Sequence, residues 1–261
     1  MRLPKRARPK LDEIKTFFSE VFWGVPDKKL VLGLARLLFD RVESGAHFAD
    51  NLLTWGRNNS MLDDEVFLKI FLDAAETDSD RAIMWRRYIL ATSAYHAVQL
   101  EGDFVECGCY TGVGMKIVMD YLGGPEFPRL YWGYDMFEPS DDPLVHPEGS
   151  LHSADLHGKV LAKFADYPQV RILKGEIPHS FAQGIPQRIS FLHIDLNHAG
   201  SEIAALEALF DRVVPGGMII LDDYEWALDY RVQKLDEDDW FEARGYRVIP
   251  LPTGQGMLVK R

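Results

Sequence analysis

Val105-Glu106-Cys107-Gly108-Cys109-Tyr110-Thr111-Gly112-Val113-Gly114 closes a short apolar run, turns on glycine and opens into a helical pattern through Lys116 and Tyr121. A strand that feeds a helix through a glycine turn is the first half of a β-α-β unit. The same rhythm continues downstream. Short β-branched or apolar runs predict strands over 103–107, 130–134, 170–173, 189–194, 217–221, 246–250 and 256–259, with helical segments between most of them. Alternation of this kind specifies parallel strands joined by right-handed crossovers. The last two runs are separated only by 251–255, which contains Pro252 and Gly254, and this suits a terminal antiparallel hairpin. The expected fold class is therefore α/β: a seven-stranded, mostly parallel sheet with helices on both faces. Ahead of residue 102 the pattern is different. Apolar residues at three and four spacings predict helices over 11–22, 28–42, 63–75 and 81–100, punctuated by Pro26 and Asn58-Asn59-Ser60. This N-terminal helical extension, 1–101, either covers the sheet domain or forms a homo-oligomer interface. Its connector over 45–62, with Trp55, Arg57 and Asn58, either lies over a pocket or is a structural loop.

The 261 residues, 47% hydrophobic and 26% charged, are sufficient for one large domain with an appendage. The longest apolar stretch, 30–39, is broken by Arg36 and is far short of the ~20 residues that span a bilayer. No apolar core follows the basic N-terminal residues, so neither a transmembrane segment nor a secretory signal is expected, and the expected location is the cytoplasm. Lys and Arg number 29 against 40 Asp and Glu; five of the 29 lie in the first ten residues, leaving 24 against 40, a net of −16. Such a body repels phosphate backbones, and no nucleic-acid partner is expected. Cys107 and Cys109 are one residue apart, too close for an ordinary disulfide, and are expected to be reduced thiols.

In open parallel sheets ligands bind beyond the carboxyl ends of the strands, so the residues after each strand carry the chemistry. The turn Glu106, Cys107, Gly108, Tyr110, Thr111, Gly112 offers close backbone approach and free N–H groups at a helix start. A dinucleotide fingerprint needs a glycine where Tyr110 stands, which argues against a nicotinamide-dependent oxidoreductase. Asp135 closes the second strand, either as acceptor for two ribose hydroxyls or as a capping acid. Gly175 and Glu176, after the third strand, form either an adenine wall or a strand-to-helix turn. The fourth and fifth strands end in Ile194-Asp195 and Leu221-Asp222-Asp223. Three hard oxygen donors on neighbouring strand ends suit Mg²⁺ or a similar divalent ion, although acids at strand ends also serve as helix caps.

These residues resemble class I S-adenosylmethionine-dependent methyltransferases, most closely the macrocin O-methyltransferase family, over about residues 80–261. Catechol O-methyltransferases are a more distant likeness. Pro215-Gly216-Gly217 before the fifth strand stands in the expected order. The resemblance implies a Rossmann-like methyltransferase domain over 102–261. It places Glu106, Gly108, Tyr110 and Gly112 around the methionine part of S-adenosyl-L-methionine, Asp135 at its ribose, and Asp195, Asp222 and Asp223 on the metal. It implies O-methylation of a sugar hydroxyl on a small-molecule or glycan acceptor: a surface polysaccharide, a nucleotide sugar or a glycosylated natural product. A phenol or catechol acceptor and a non-catalytic binding protein are the alternatives. Macrocin-type enzymes carry a second Asp two residues after the first metal Asp, as the proposed base; here that residue is Asn197, which cannot take a proton. Catechol-type enzymes place a lysine one residue further on, where this chain has His198. An imidazole with an ordinary pKa of ~6.5 can accept a hydroxyl proton near neutral pH, or it can cap the helix that follows. His193, among apolar neighbours, is expected to be structural. Tyr224, Trp226 and Trp55 are candidates to stack on a sugar face.

Overall fold

The computed structural model describes residues 3–5, 10, 13–42, 44–138, 151–228 and 230–261. The chain forms two compact units, Pro4–Ile89 and Leu90–Arg261, a division that falls ahead of the 101/102 boundary suggested by the change of rhythm.

The smaller unit is not all helix. Strands β1 (Phe17–Phe18), β2 (His47–Ala49) and β3 (Leu52–Thr54) form a sheet in that order, with β1 parallel and β3 antiparallel to β2. Among the described residues of 11–22 the expected helix does not form. Phe17 and Phe18 pair with His47 and Phe48 instead, and the pairing is reinforced by ring contacts: Phe17 stacks on His47 at 5.4 Å, and Phe18 meets Phe39 edge-on at 5.1 Å. The connector over 45–62 contains the β2–β3 hairpin, turned at Asp50 and Asn51 with φ of 52° and 55°. Positive φ at both positions matches the twist of the flanking strands. Helix α1 (Lys28–Phe39) is as expected, opened by Asp27, whose carboxylate accepts Leu30 N at 2.9 Å. The two later helices are each interrupted. Asp64 separates α2 (Ser60–Asp63) from α3 (Glu65–Ala74) because its carboxylate caps Phe67 N at 3.1 Å, and Ile83 separates α4 (Asp78–Ala82) from α5 (Met84–Ala97).

The larger unit contains β4 (Asp103–Cys107), α6 (Val113–Tyr121), β5 (Tyr131–Asp135), α7 (Leu156–Lys163), β6 (Val170–Lys174), β7 (Ile189–Ile194), α8 (Ala199–Leu209), β8 (Val213–Leu221), α9 (Arg231–Glu242), β9 (Ile249–Pro250) and β10 (Gly256–Val259). All seven expected strands are present, ordered β6-β5-β4-β7-β8-β10-β9. The first five are parallel, and β10 runs antiparallel to both β8 and β9. Strand β9 is shorter than expected because Tyr246 N still donates to Phe241 O, so that segment closes α9 before it can pair. No helix among the described residues is long and apolar enough to cross a membrane.

Successive side chains of a strand face opposite sides of the sheet. Val105, Cys107, Leu192, Ile194, Ile219 and Leu221 form one face and share a core with Leu206 and Leu209 of α8 and Phe241 of α9. The other face carries Phe104, which contacts Phe127, Tyr131 and Phe191. Glu106 and His193 lie in register on that second face, one step closer to the carboxyl ends.

Candidate active site at the carboxyl ends of the strands

The strand order reverses at β4 and β7, and the loops after these two strands meet. Asp195 N donates to Cys107 O at 2.8 Å, and Gly108 N donates to Tyr134 O at 2.8 Å. Gly108 has φ +88°, and a Cβ there would stand 1.8 Å from the carbonyl oxygen of Asp195. Only glycine satisfies both the dihedral and the contact. The glycine turn and the first strand-end acid are thus joined through their backbones.

Tyr110 N donates to Asp135 Oδ2 and Phe137 N to Asp135 Oδ1, each at 2.7 Å. Asp135 is buried, and its carboxylate anchors the β4 turn to the β5 turn; His152 Nε2 lies 3.7 Å away and its ring packs on Tyr110. Thr111 is buried and its carbonyl accepts Lys163 Nζ at 2.5 Å. Gly112, φ +76°, opens α6 against Phe164. Both Cys107 and Cys109 are free and buried, and burial pushes their thiols well above the usual range. Glu106 is buried too, with Oε2 accepting the Tyr131 hydroxyl at 2.8 Å and Oε1 lying 3.4 Å from His193 Nδ1. Gly175, φ +146°, and exposed Glu176 form a strand-to-helix turn: Gly175 N donates to Asp135 O, and Glu176 O accepts Ser180 N.

The strand-end acids separate by face. His193, Asp195 and Asp222 share one face and offer ligand atoms within 4.8 Å of one another. Asp223, in the turn after β8, stands outside this group, contrary to the sequence expectation, and is close enough to Glu202 of α8 and Glu237 of α9 to act on their charges. Its charge helps raise the carboxyls of Glu202 and Glu237, which burial already holds above the ordinary range; Glu237 raises Glu202 further, whereas the hydrogen bond from Glu202 pulls Glu237 back. His193 takes the third place in the group. Burial alone would lower its pKa, but Glu106 on one side and Asp222, 3.4 Å from Nε2, on the other raise it to about 10. Asp222 is held from a further direction by Gln255, whose Nε2 donates to Oδ1 at 2.7 Å while its Oε1 accepts the Thr253 hydroxyl at 3.1 Å. A buried polar chain therefore runs from the β9–β10 loop through Gln255, Asp222, His193 and Glu106 to Tyr131. Two carboxylates and a nitrogen so close together fit a divalent cation, whose binding would have to displace the proton that Glu106 and Asp222 hold on His193.

His198 is exposed, and its Nδ1 accepts Ser201 N at 3.2 Å, capping α8. That bond uses the neutral ring's only lone pair, so the geometry favours the cap over the base. Asn197 sits at φ +57°, its amide oxygen buried and without a hydrogen-bond partner. Tyr224 does not present a stacking face: it is buried, its hydroxyl bonds Asp238, and Lys234 Nζ lies 3.6 Å from the ring centre. Trp226 is half-buried beyond β8, and Trp55 is exposed in the smaller unit. Sequence reasoning missed Gln255, Tyr131 and the Glu202–Glu237 pair. Period-two counting from Asp195 and Asp222 would have brought in His193 and set Asp223 aside.

This sheet with its strand-end site is the fold of known methyltransferases. The O-methyltransferase NovP superposes with a TM-score of 0.57 at 20% identity, over 68% of this chain and 80% of that one. CalS11, a calicheamicin methyltransferase described as a TDP-rhamnose 3'-O-methyltransferase, superposes at 0.56 with 14% identity, over 91% and 94%. Residues 89–237, more than half of the chain, match the macrocin-O-methyltransferase (TylF) family, and the chain belongs to it. A curated relative from Streptomyces olivaceus, 8-demethyl-8-(2,3-dimethoxy-alpha-L-rhamnosyl)-tetracenomycin-C 4'-O-methyltransferase, is 32% identical over 143 residues. That match covers 47% of this chain and 53%, about half, of the relative.

Proposed function

We propose that this protein is an S-adenosylmethionine-dependent O-methyltransferase whose acceptor is a sugar hydroxyl on a glycosylated small molecule. The observation that carries this reading is the backbone junction of Gly108 with Asp195, which sets a glycine turn of the family's cofactor type directly against an acid. Family membership supports it, and so do the sugar-directed names of the tetracenomycin and calicheamicin enzymes.

In this reading the turn from Glu106 to Gly112 holds the amino-acid end of the cofactor, and Asp135, already fixing the Tyr110 and Phe137 amides, faces its ribose. Bound S-adenosylmethionine supplies a methyl group on a sulfonium, which passes to a hydroxyl oxygen as the carbon–sulfur bond breaks and S-adenosylhomocysteine leaves. We assign Asp195 to orient that hydroxyl and accept its proton, because Asn197 has no basic site and His198 has its lone pair in the α8 cap. Asp195, Asp222 and His193 would hold a divalent cation such as Mg²⁺, which acidifies and orients a hydroxyl when bound. Positioning of the acceptor supplies most of the rate in such a site.

Calorimetric titration with S-adenosylhomocysteine, with NADH as control, tests the cofactor. Micromolar binding of the former alone is expected in the native protein and in Asp195→Asn, with turnover of rhamnosyl acceptors lost in the variant. No binding of S-adenosylhomocysteine would refute the proposal. Full turnover by Asp195→Asn would refute the role given to that residue.

A further inference from the structure

The peptide unit between Asp195 and Leu196 is held on both sides. Its carbonyl oxygen abuts Gly108, where an added Cβ would stand 1.8 Å away. A trans peptide points its N–H the opposite way, and on that side Leu196 N donates to Glu202 Oε1 at 3.1 Å. The preceding peptide is fixed separately, by Asp195 N on Cys107 O. Both backbone dihedrals of Asp195 are thereby set, and with them the directions open to its carboxylate. Asn197, next in the loop, sits at φ +57°. A non-glycine residue in the left-handed region lies uphill of the ordinary conformations and persists only where its surroundings hold it.

Glu202 is not the cap of α8. His198 fills that place through Ser201 N, and Glu202, four residues further on, reaches back past the cap into the loop. It is 1% exposed, in a helix whose other buried residues, Ala205, Leu206 and Leu209, are all apolar. A buried acid in such a layer costs free energy unless its oxygens are used. Here the carboxyl is used twice, accepting Leu196 N and bonding to the buried carboxyl of Glu237 on α9. Burial and Glu237 push it well above the ordinary range. In its protonated form it can donate to Glu237 and still accept from Leu196. Glutamine reproduces that combination of one acceptor and one donor, whereas methionine matches the length and has neither.

We propose that Glu202 is a positioning residue for methyl transfer: by fixing the Asp195–Leu196 peptide it aims the Asp195 carboxylate at the acceptor hydroxyl, and Glu237 holds Glu202 in place from α9. The proposal rests on the reading of Asp195 as the group that accepts the hydroxyl proton.

Crystal structures and steady-state kinetics of the native protein, Glu202→Gln and Glu202→Met test it. Glu202→Gln is expected to keep Asp195 in its native place and kcat within about threefold. Glu202→Met is expected to turn the 195–196 peptide and displace the Asp195 carboxylate by about 1 Å, with kcat ~10–100-fold lower. KM for a rhamnosyl acceptor and affinity for S-adenosylhomocysteine should stay within about threefold in both variants, because the cofactor turn keeps its own bonds from Gly108 N to Tyr134 O and from Tyr110 N to Asp135. A purely structural role would lower the melting temperature and leave kcat of the folded enzyme unchanged. The proposal is overturned by a Glu202→Met protein with Asp195 in its native place or with native kcat, by a Glu202→Gln protein as impaired as Glu202→Met, or by equal loss of kcat and cofactor affinity. A native protein that turns over no rhamnosyl acceptor refutes the functional reading instead, and the position of Asp195 in the two variant structures then decides the role of Glu202.

Discussion

Replacing Gly108 with alanine adds one methyl group at the point where the β4 turn touches the end of β7. That carbon would lie 1.8 Å from the Asp195 carbonyl oxygen, where ordinary contact begins at 3.4 Å, so the two backbones must part by about 1.6 Å. Neither side has a flexible chain end to yield. Parting them breaks Asp195 N to Cys107 O and Gly108 N to Tyr134 O, both 2.8 Å. At ~1–1.5 kcal/mol for each hydrogen bond and ~1–2 kcal/mol for a non-glycine residue in the left-handed region, the cost is about 3–5 kcal/mol. For a unit of this size that lowers the melting temperature by on the order of 10 °C. Urea denaturation followed by circular dichroism measures the loss, and calorimetry with S-adenosylhomocysteine should show at least tenfold weaker binding. Gly158→Ala is the matched control. It lies in α7 with nothing within 4 Å of an added Cβ, and should stabilise by ~0.5–1 kcal/mol. A Gly108→Ala protein within 1 kcal/mol of the native one would show that the strand ends are not locked in this way.

Gln255→Ala removes the amide that holds Asp222, and Mn²⁺ affinity measured by calorimetry should fall roughly 10–100-fold while S-adenosylhomocysteine affinity stays within threefold; equal loss of both would point to general misfolding. Glu237, buried beside Glu202, keeps its proton to higher pH in the folded chain than in the unfolded one. The contribution is therefore complete at acid pH and declines as pH rises from ~4.5 toward neutrality, by ~1.4 kcal/mol per pH unit for one proton. Denaturation at pH 5 and 7 should show Glu237→Gln with a flatter profile, and an unchanged slope would exclude Glu237 as the group responsible. His198→Ala should lower stability by ~1 kcal/mol through loss of the α8 cap, with the pH–rate profile of methyl transfer unchanged; loss of the rise on the acid side of that profile would restore the imidazole as base.

The larger unit was legible because each strand is bounded by its own punctuation. Gly102 precedes β4, glycine or an acid ends the next three strands, and Pro252 with Gly254 turns the last hairpin. The smaller unit was not. Phe17-Phe18 is too short to announce itself as a strand, and it becomes one only because β2 and the α1 aromatics receive it. Asp50-Asn51 carried a usable turn signal, but without glycine, and between runs of only three residues, it did not announce a hairpin within the connector. At the site, the positions of the acids were readable, whereas their facing depended on parity. Asp222 and Asp223 are neighbours in sequence, yet only Asp222 joins His193 and Asp195. Gln255 was beyond reach: a neutral amide 33 residues from its partner gives no periodic or motif signal.

The antiparallel β10 strand has a consequence for how the protein is made. Strand β8 pairs with β7 on one side, and β10 closes its other edge through the register Gly256–Leu221 to Val259–Met218. Until the ribosome has released those residues, the nascent sheet presents a long apolar edge with unsatisfied backbone groups, open to pairing with any other chain. The same residues bring Gln255 to Asp222. Closure of that edge and placement of Gln255 against Asp222 thus arrive together, with the last strand of the sheet.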